Sequence, residues 1–465
     1  MQTDSRIGGG ASAHVYRHPL LSRISVFLQF LATVADPSAK RRVLWTPLAA
    51  STAAVLMALD EDAALTGRFQ HARSCMKGDY RRQRRTGKTY NGVMKALERQ
   101  QHVVLPLVKT ELRGQVRRRL QRVAPTDSWL LLAVDGSKEE LPRTRDHEAV
   151  FGIADNGIFP QAFITAVVEV HTGLPWDWRI GEARASEKKH LMQMTADLPG
   201  DALLLADGAF VGLPIWEKLC TKRQPFLIRV GGNVRLITDL WPDAKTTQDR
   251  DMVYVWPNKA RKTNPPLKLR LIKVGSKDKA VYLLTNVLDA KRLSKKAAGA
   301  IYRKRWGVEL FYRTLKRTLG CAKLHSKAAR RARIELEWTM VALTLATLLG
   351  IDAAVARRRD PRRLSPAQLI RTLREALRGG TASRPHDRAA LERALANCRK
   401  DTYQRKASKP SRHRITTTNT PTTRIQPPIV RKATTYERRE ALKYRQNRDC
   451  SIITERIILS SPGVE

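Results

Sequence analysis

Trp129-Leu-Leu-Leu-Ala-Val-Asp-Gly136 is the stretch on which the fold turns. A short unbroken apolar run that meets Asp-Gly reads as a buried strand stopping at a turn. The pattern returns at Ala202-Leu-Leu-Leu-Ala-Asp-Gly208. Neighbouring strands of this kind bring Asp135 and Asp207 to one edge of a sheet, where open α/β folds place their ligands. Two carboxylates held that close repel each other unless a cation sits between them. Hard oxygen ligands with no Cys or His nearby point to Mg²⁺ or Mn²⁺. Asp-Gly is also an ordinary turn dipeptide, so either aspartate alone stays open to a purely structural reading.

Working outward, 161–170 is β-rich, His171-Thr-Gly-Leu-Pro175 supplies a turn, and 176–180 can return as a paired strand. Ser186 reads as an N-cap, with Glu187 in the first turn of a helix running to about Leu198. A helix at 213–219 and a strand at 226–230 follow, with Arg229 near the strand end as a candidate phosphate contact. The His147-Glu148 pair reads as structural or substrate-orienting. Short β-like runs at 234–237, 252–256, 267–274 and 280–284, separated by Gly, Pro, Asn and Asp, form a small β insertion over 231–295. Trp256 lies in it, and no motif gives that residue a role.

Helices resume at Ser294. In 301–316, read as one helix, Tyr302, Arg305, Glu309 and Lys316 fall within an arc of roughly 60°. Ile301, Val308, Phe311, Leu315 and Leu319 form the apolar stripe beside them. Such a helix buries one side and presents a carboxylate flanked by two cations and a phenol. The carboxylate can bind metal, and the cations and phenol can grip phosphate oxygens. A solvated face with an Arg305–Glu309 pair is the competing reading.

The spacing Tyr302-x2-Arg305-x3-Glu309-x6-Lys316, with Trp306 after the Arg and Phe311 after the Glu, resembles the signature of a branch of bacterial insertion-sequence transposases of the DDE class. Asp135 in Ala-Val-Asp-Gly-Ser and Asp207 in Leu-Leu-Ala-Asp-Gly-Ala-Phe are similar to that family's first and second catalytic aspartates, although Gly208 stands where the family commonly has Arg. The resemblance covers about residues 128–345. It implies a ribonuclease H-like mixed-sheet core, 128–230 and 296–350, interrupted by the β insertion. It also implies Asp135, Asp207 and Glu309 as catalytic and metal-binding residues, and Tyr302, Arg305 and Lys316 on transposon-end phosphates. Two ions of Mg²⁺ or Mn²⁺ held by these carboxylates would suit hydrolysis at an end and joining of the freed 3′-hydroxyl to target DNA. The partners implied are double-stranded DNA, as terminal inverted repeats and target, and a second copy of the chain on paired ends. A metal-dependent nuclease or resolvase on the same core, or a DNA-binding protein without activity, are the alternatives.

The rest of the chain fits a DNA partner. Lys and Arg number 86 against 43 Asp and Glu, a formal charge of +43 that favours a polyanion. An RNA-binding or ribosomal protein would share this charge but would not need acidic residues at strand ends. Residues 1–127 read as a helical DNA-binding region, with Arg81, Arg82, Arg84, Arg85 and Lys88 in a basic turn leading into a helix. Five dispersed cysteines without a CxxC pair argue against a disulfide framework or zinc site and for a reducing compartment, the cytoplasm. No run of 18 apolar residues appears, so no membrane partner is expected. Residues 351–400 read as a helical C-terminal region. Residues 401–465, rich in Thr, Pro, Arg and Lys, read as a basic tail that is flexible over most of its length.

Overall fold

A computed structural model of the chain describes residues 19–35, 44–77, 86–123, 129–155, 157–241, 251–257, 264–275, 280–321, 324–378, 385–400 and 426–444. Helices α1 (Pro19–Leu28), α2 (Pro47–Leu59), α3 (Leu65–Lys77) and α4 (Tyr90–Val123) come first. Then follow β1 (Leu130–Glu140), α5 (Arg145–Phe151), β2 (Gln161–Glu169), β3 (Pro175–Gly181), α6 (Glu187–Met194), β4 (Ala202–Ala206), α7 (Leu213–Thr221) and β5 (Phe226–Val230). Strands β6 (Arg235–Thr238), β7 (Met252–Val255), β8 (Leu267–Val274) and β9 (Val281–Thr285) lead to α8 (Lys295–Arg303) and α9 (Gly307–Arg313). The chain ends with α10 (Ala329–Ala356), α11 (Pro366–Arg378), α12 (Pro385–Asn397), β10 (Ile429–Lys432) and α13 (Thr435–Leu442).

These elements form two compact units, Met1–Arg119 with Glu140–Val150 and Thr314–Lys400, and Leu120–Glu139 with Phe151–Arg313 and Asp401–Glu465. The first is helical. Every residue of α2 is buried, because its Ala, Leu and Val side chains leave no polar face to turn outward. Helix α10, at 28 residues, is long and apolar enough to cross a membrane, but most of it is buried in this unit against α2, α11 and α12, as a core helix. Arg119 clasps Asp352 through two contacts of 2.7 Å. His147 is buried with Nδ1 2.7 Å from the Pro142 carbonyl, and Glu148 pairs with Arg143 at 2.8 Å, so both make structural contacts.

The second unit carries a ten-stranded mixed sheet in the order β10-β6-β7-β8-β9-β5-β4-β1-β2-β3. Its centre is parallel, with β1 against β4 and β4 against β5. Their apolar runs 130–134, 202–206 and 226–228 are buried throughout, as strands covered on both sides must be. The β insertion does not stand apart: β9 pairs antiparallel with β5, so β6–β9 extend the same sheet. The C-terminal segment, read as flexible over most of its length, contributes β10, which pairs parallel with β6, and α13, closed by a Thr434–Glu437 capping box. Ala433 and Ala441 join Ile237, Leu240, Tyr254 and Trp256 in one apolar cluster, with Tyr444 packed against it. Trp256 is therefore core, with its indole N–H donating to the Asn264 carbonyl at 2.8 Å.

Two expectations are corrected. Strand β1 does not stop at Asp135-Gly136 but runs on to Glu140. Gly136 reflects a close approach: a Cβ there would stand 2.6 Å from Glu187 Oε1 and 2.7 Å from Phe163 Cζ. Nor is 301–316 one helix. Helix α8 ends at Arg303, a 3₁₀ turn covers Lys304–Trp306, α9 covers Gly307–Arg313, and a π-turn covers Thr314–Thr318. The break admits Gly307 against β2's end, where a Cβ would lie 2.3 Å from the Val170 carbonyl oxygen.

Candidate active site

Strands β1 and β4 set the first two carboxylates. Their register pairs Leu132 with Leu204 and Ala133 with Leu205, which carries Asp135 opposite the position of Asp207. Strand β4 ends at Ala206, so Asp207 sits just past it, while Asp135 lies within β1 where its neighbour has stopped. Asp207 Oδ1 accepts from the Ala209 N–H at 2.9 Å and caps the single 3₁₀ turn Gly208–Phe210. Asp135 Oδ1 accepts from the Gly136 N–H at 2.9 Å.

Helix α9 brings the third. Val308, Phe311 and Tyr312 are its buried face, and Glu309 stands half-buried beside them. Arg305 links the set, with Nη1 3.5 Å from Asp135 Oδ2 and Nη2 3.1 Å from Glu309 Oε1. Tyr302 directs its hydroxyl to the Ala206 carbonyl at 3.4 Å, at the end of β4. Burial pushes its phenol up to about 12, with Arg305 and Arg229 acting against that rise, so Arg229 belongs to the same neighbourhood. Lys316 is half-buried in the π-turn of the helical unit, and Lys88 precedes α4 in that unit. Arg81, Arg82, Arg84 and Arg85 lie outside the described residues.

Two residues of this site escaped the sequence reading. Tyr312 is fully buried; its hydroxyl donates to the Asp135 carbonyl at 2.8 Å, lies 3.0 Å from the Ile164 carbonyl and accepts from the Ala166 N–H at 3.1 Å. It pins the helix bearing Glu309 to the strand bearing Asp135. The other is Glu187, whose Oε2 is shielded from solvent without a hydrogen-bond partner. Burial first, then Asp135 and Asp207, push its carboxyl up to about 7. Burial likewise raises Asp135, with Asp207 and Glu309 adding to the rise while the Gly136 N–H and Arg305 oppose it.

The donor set is carboxylate oxygen throughout, which suits a hard divalent cation. The orphaned buried Glu187 oxygen, and the raised carboxyls of Asp135 and Glu187, mark a place short of positive charge, so the residues present fit Mg²⁺ or Mn²⁺. Among the described residues no three such side chains are already gathered as ligands, and the Arg305 guanidinium reaches both Asp135 and Glu309.

Residues 130–345 match the family model described as transposase DDE domain, and that span contains Asp135, Asp207 and Glu309. Over that span the chain is similar to transposase DDE domains. The chain is also similar to transposase InsG for insertion sequence element IS4 of Escherichia coli (strain K12), 25% identical over 218 residues, or 44% of this chain. The match covers 48% of InsG, so the chain spans about half the length of the curated relative it matches. Among solved structures it matches a piggyBac transposase synaptic complex with hairpin DNA at a TM-score of 0.36 and 12% identity, over 87% of this chain and 90% of that one.

Proposed function

We propose that this chain is a DNA transposase that cleaves at the ends of an insertion sequence and joins the freed 3′-hydroxyl to target DNA. The observation that carries the reading is the placement of Asp135 on β1 and of Asp207 just past the adjacent parallel β4, with Glu309 linked to Asp135 through Arg305, inside the span that matches the transposase DDE domain. The order β3-β2-β1-β4-β5, with β1, β4 and β5 parallel and β3 antiparallel to β2, supports a ribonuclease H-like core.

In this reading Asp135, Asp207 and Glu309 hold two ions of Mg²⁺ or Mn²⁺. Bound there, the metal would activate the attacking water or 3′-hydroxyl and stabilise charge on the scissile phosphate. Arg305, Tyr302 and Arg229 grip phosphate oxygens beside the carboxylates. Arg305 exchanges its carboxylate partners for the DNA backbone as the strand enters. Tyr312 holds Glu309 and Asp135 in register throughout. Lys316, Lys88 and the basic stretch with Arg81, Arg82, Arg84 and Arg85 serve end binding, and the net charge of +43 draws DNA in. A homodimer on paired ends, working in the cytoplasm, completes the proposal.

A strand-transfer assay separates this enzyme from a nuclease on the same core. Supplied with a pre-cleaved inverted-repeat end, a target plasmid and Mg²⁺, the protein is expected to join the two. Cleavage of uncut ends without any joined product would favour the nuclease.

A further inference from the structure

Glu187 opens α6, yet nothing about that helix needs its carboxylate. Ser186 already caps the helix, accepting from the Lys189 N–H, and His190, Leu191 and Met194 are the side chains buried beneath it. His190 Nδ1 lies 2.8 Å from Thr165 Oγ1 on β2, which fixes the first turns against the sheet. A first-turn glutamate ordinarily turns its oxygens to water or to the helix's own N–H groups. Here Oε2 is excluded from water and receives no hydrogen bond. Oε1 lies 2.6 Å from the position a Cβ on Gly136 would occupy, so the carboxylate comes in over the residue that follows Asp135.

The charges around it explain little of this. Asp135 and Asp207 are the acids that act on it, while Lys138 on β1 and Lys188 on α6 are the cations. The Lys138 ammonium stands over the Phe163 ring, 6.0 Å from its centre, and Lys188 donates to the Val211 carbonyl at 2.5 Å. A buried carboxylate oxygen without a donor is costly unless a ligand supplies the missing charge.

We propose that Glu187 is a fourth carboxylate of the metal centre, acting on its Asp135–Asp207 side. This rests on the metal-dependent reading above. It makes the sheet and α6 the permanent part of the metal site, to which α9 adds Glu309.

The test is Mn²⁺ binding to the full chain, followed by the electron paramagnetic resonance signal of free Mn²⁺, together with melting temperatures measured without metal. Wild type, Glu187→Gln, Glu187→Asp and Asp135→Asn are compared. Glu187→Gln is expected to weaken Mn²⁺ binding about 10- to 100-fold, with a metal-free melting temperature no lower than wild type. Glu187→Asp, which keeps the charge but shortens the reach, should fall between the two. If Glu187→Gln binds Mn²⁺ as wild type does while Asp135→Asn does not, Glu187 is no part of the centre and the metal reading stands. A lower metal-free melting temperature with unchanged Mn²⁺ affinity assigns Glu187 a structural role and overturns the proposal. Failure of wild type to bind Mn²⁺ overturns the metal reading and this inference with it.

Discussion

Tyr312 decides how far Glu309 sits from Asp135. Its hydroxyl meets backbone groups of β1 and β2 from a residue one turn beyond Glu309. Removing it in Tyr312→Phe leaves the Ala166 N–H without its partner in a dry environment, a loss of about 1–3 kcal/mol. The expected result is a lower melting temperature together with reduced cleavage, since helix and strand lose their registration. Retained activity at full stability would mean that packing of Val308 and Phe311 alone places the helix. Arg305 acts at the same scale. It is a half-buried cation shared between Asp135 and Glu309, and in the proposed function its fork is offered to phosphate. Arg305→Lys keeps the charge but loses the forked geometry. It is expected to weaken end binding and cleavage while leaving the fold intact by circular dichroism.

At the scale of elements, the turn between β2 and β3 is held by one buried carboxylate. Glu169 accepts from the His171 and Thr172 N–H groups at 3.0 and 2.8 Å and from the Thr172 hydroxyl at 2.6 Å. Burial alone would raise its pKa, but the bonds from His171 and Thr172 outweigh that and hold it below the ordinary value. A depressed folded pKa stabilises above the unfolded value, about 4.3, and the contribution is lost as pH falls through the folded value. Glu169→Gln is therefore expected to cost about 1–3 kcal/mol at neutral pH, with the gap to wild type closing in acid denaturation curves. The junction of α9 with β2 has no such tolerance. Gly307→Ala places a methyl 2.3 Å from the Val170 carbonyl oxygen. It should force the helix away from the sheet and lower both melting temperature and cleavage.

These same elements show what a reader of residues alone can see. The apolar runs before Asp135 and Asp207 and the spacing around Glu309 are chemical signals in one dimension, and they led to the sheet centre and to α9. Asp135-Gly136 was misread because Asp-Gly is a common turn dipeptide, while this glycine answers to Glu187, 51 positions on in the chain. Glu187 itself looked like an ordinary first-turn acid. Its role depends on where α6 lands on β2, which His190 and Thr165 decide. Tyr312 drew no reading from the sequence, because a phenol's partner cannot be read from spacing. The breaks within 301–316 are not written in its spacing, and Gly307 there packs against the Val170 carbonyl, a tertiary contact.

For the whole molecule, the C-terminal segment is structural as well as basic. Ending the chain before residue 426 removes β10 and α13, leaving the edge of β6 open and Trp256, Tyr254 and Ile237 facing water. Such a truncation is expected to aggregate or melt early; unchanged melting would mean the cluster closes without it. The net charge of +43 implies binding with a steep salt dependence. Lys316→Ala is expected to weaken end binding with a salt slope shallower by about 1, and an unchanged slope would place Lys316 away from DNA. The central claim is that Asp135, Asp207 and Glu309 form one cleavage site. Its most direct test is cleavage of terminal inverted repeats in Mg²⁺ by Asp135→Ala, Asp207→Ala and Glu309→Ala, with end binding measured on the same samples. The account predicts that cleavage is lost in each variant while end binding is largely kept; cleavage retained in all three would contradict it.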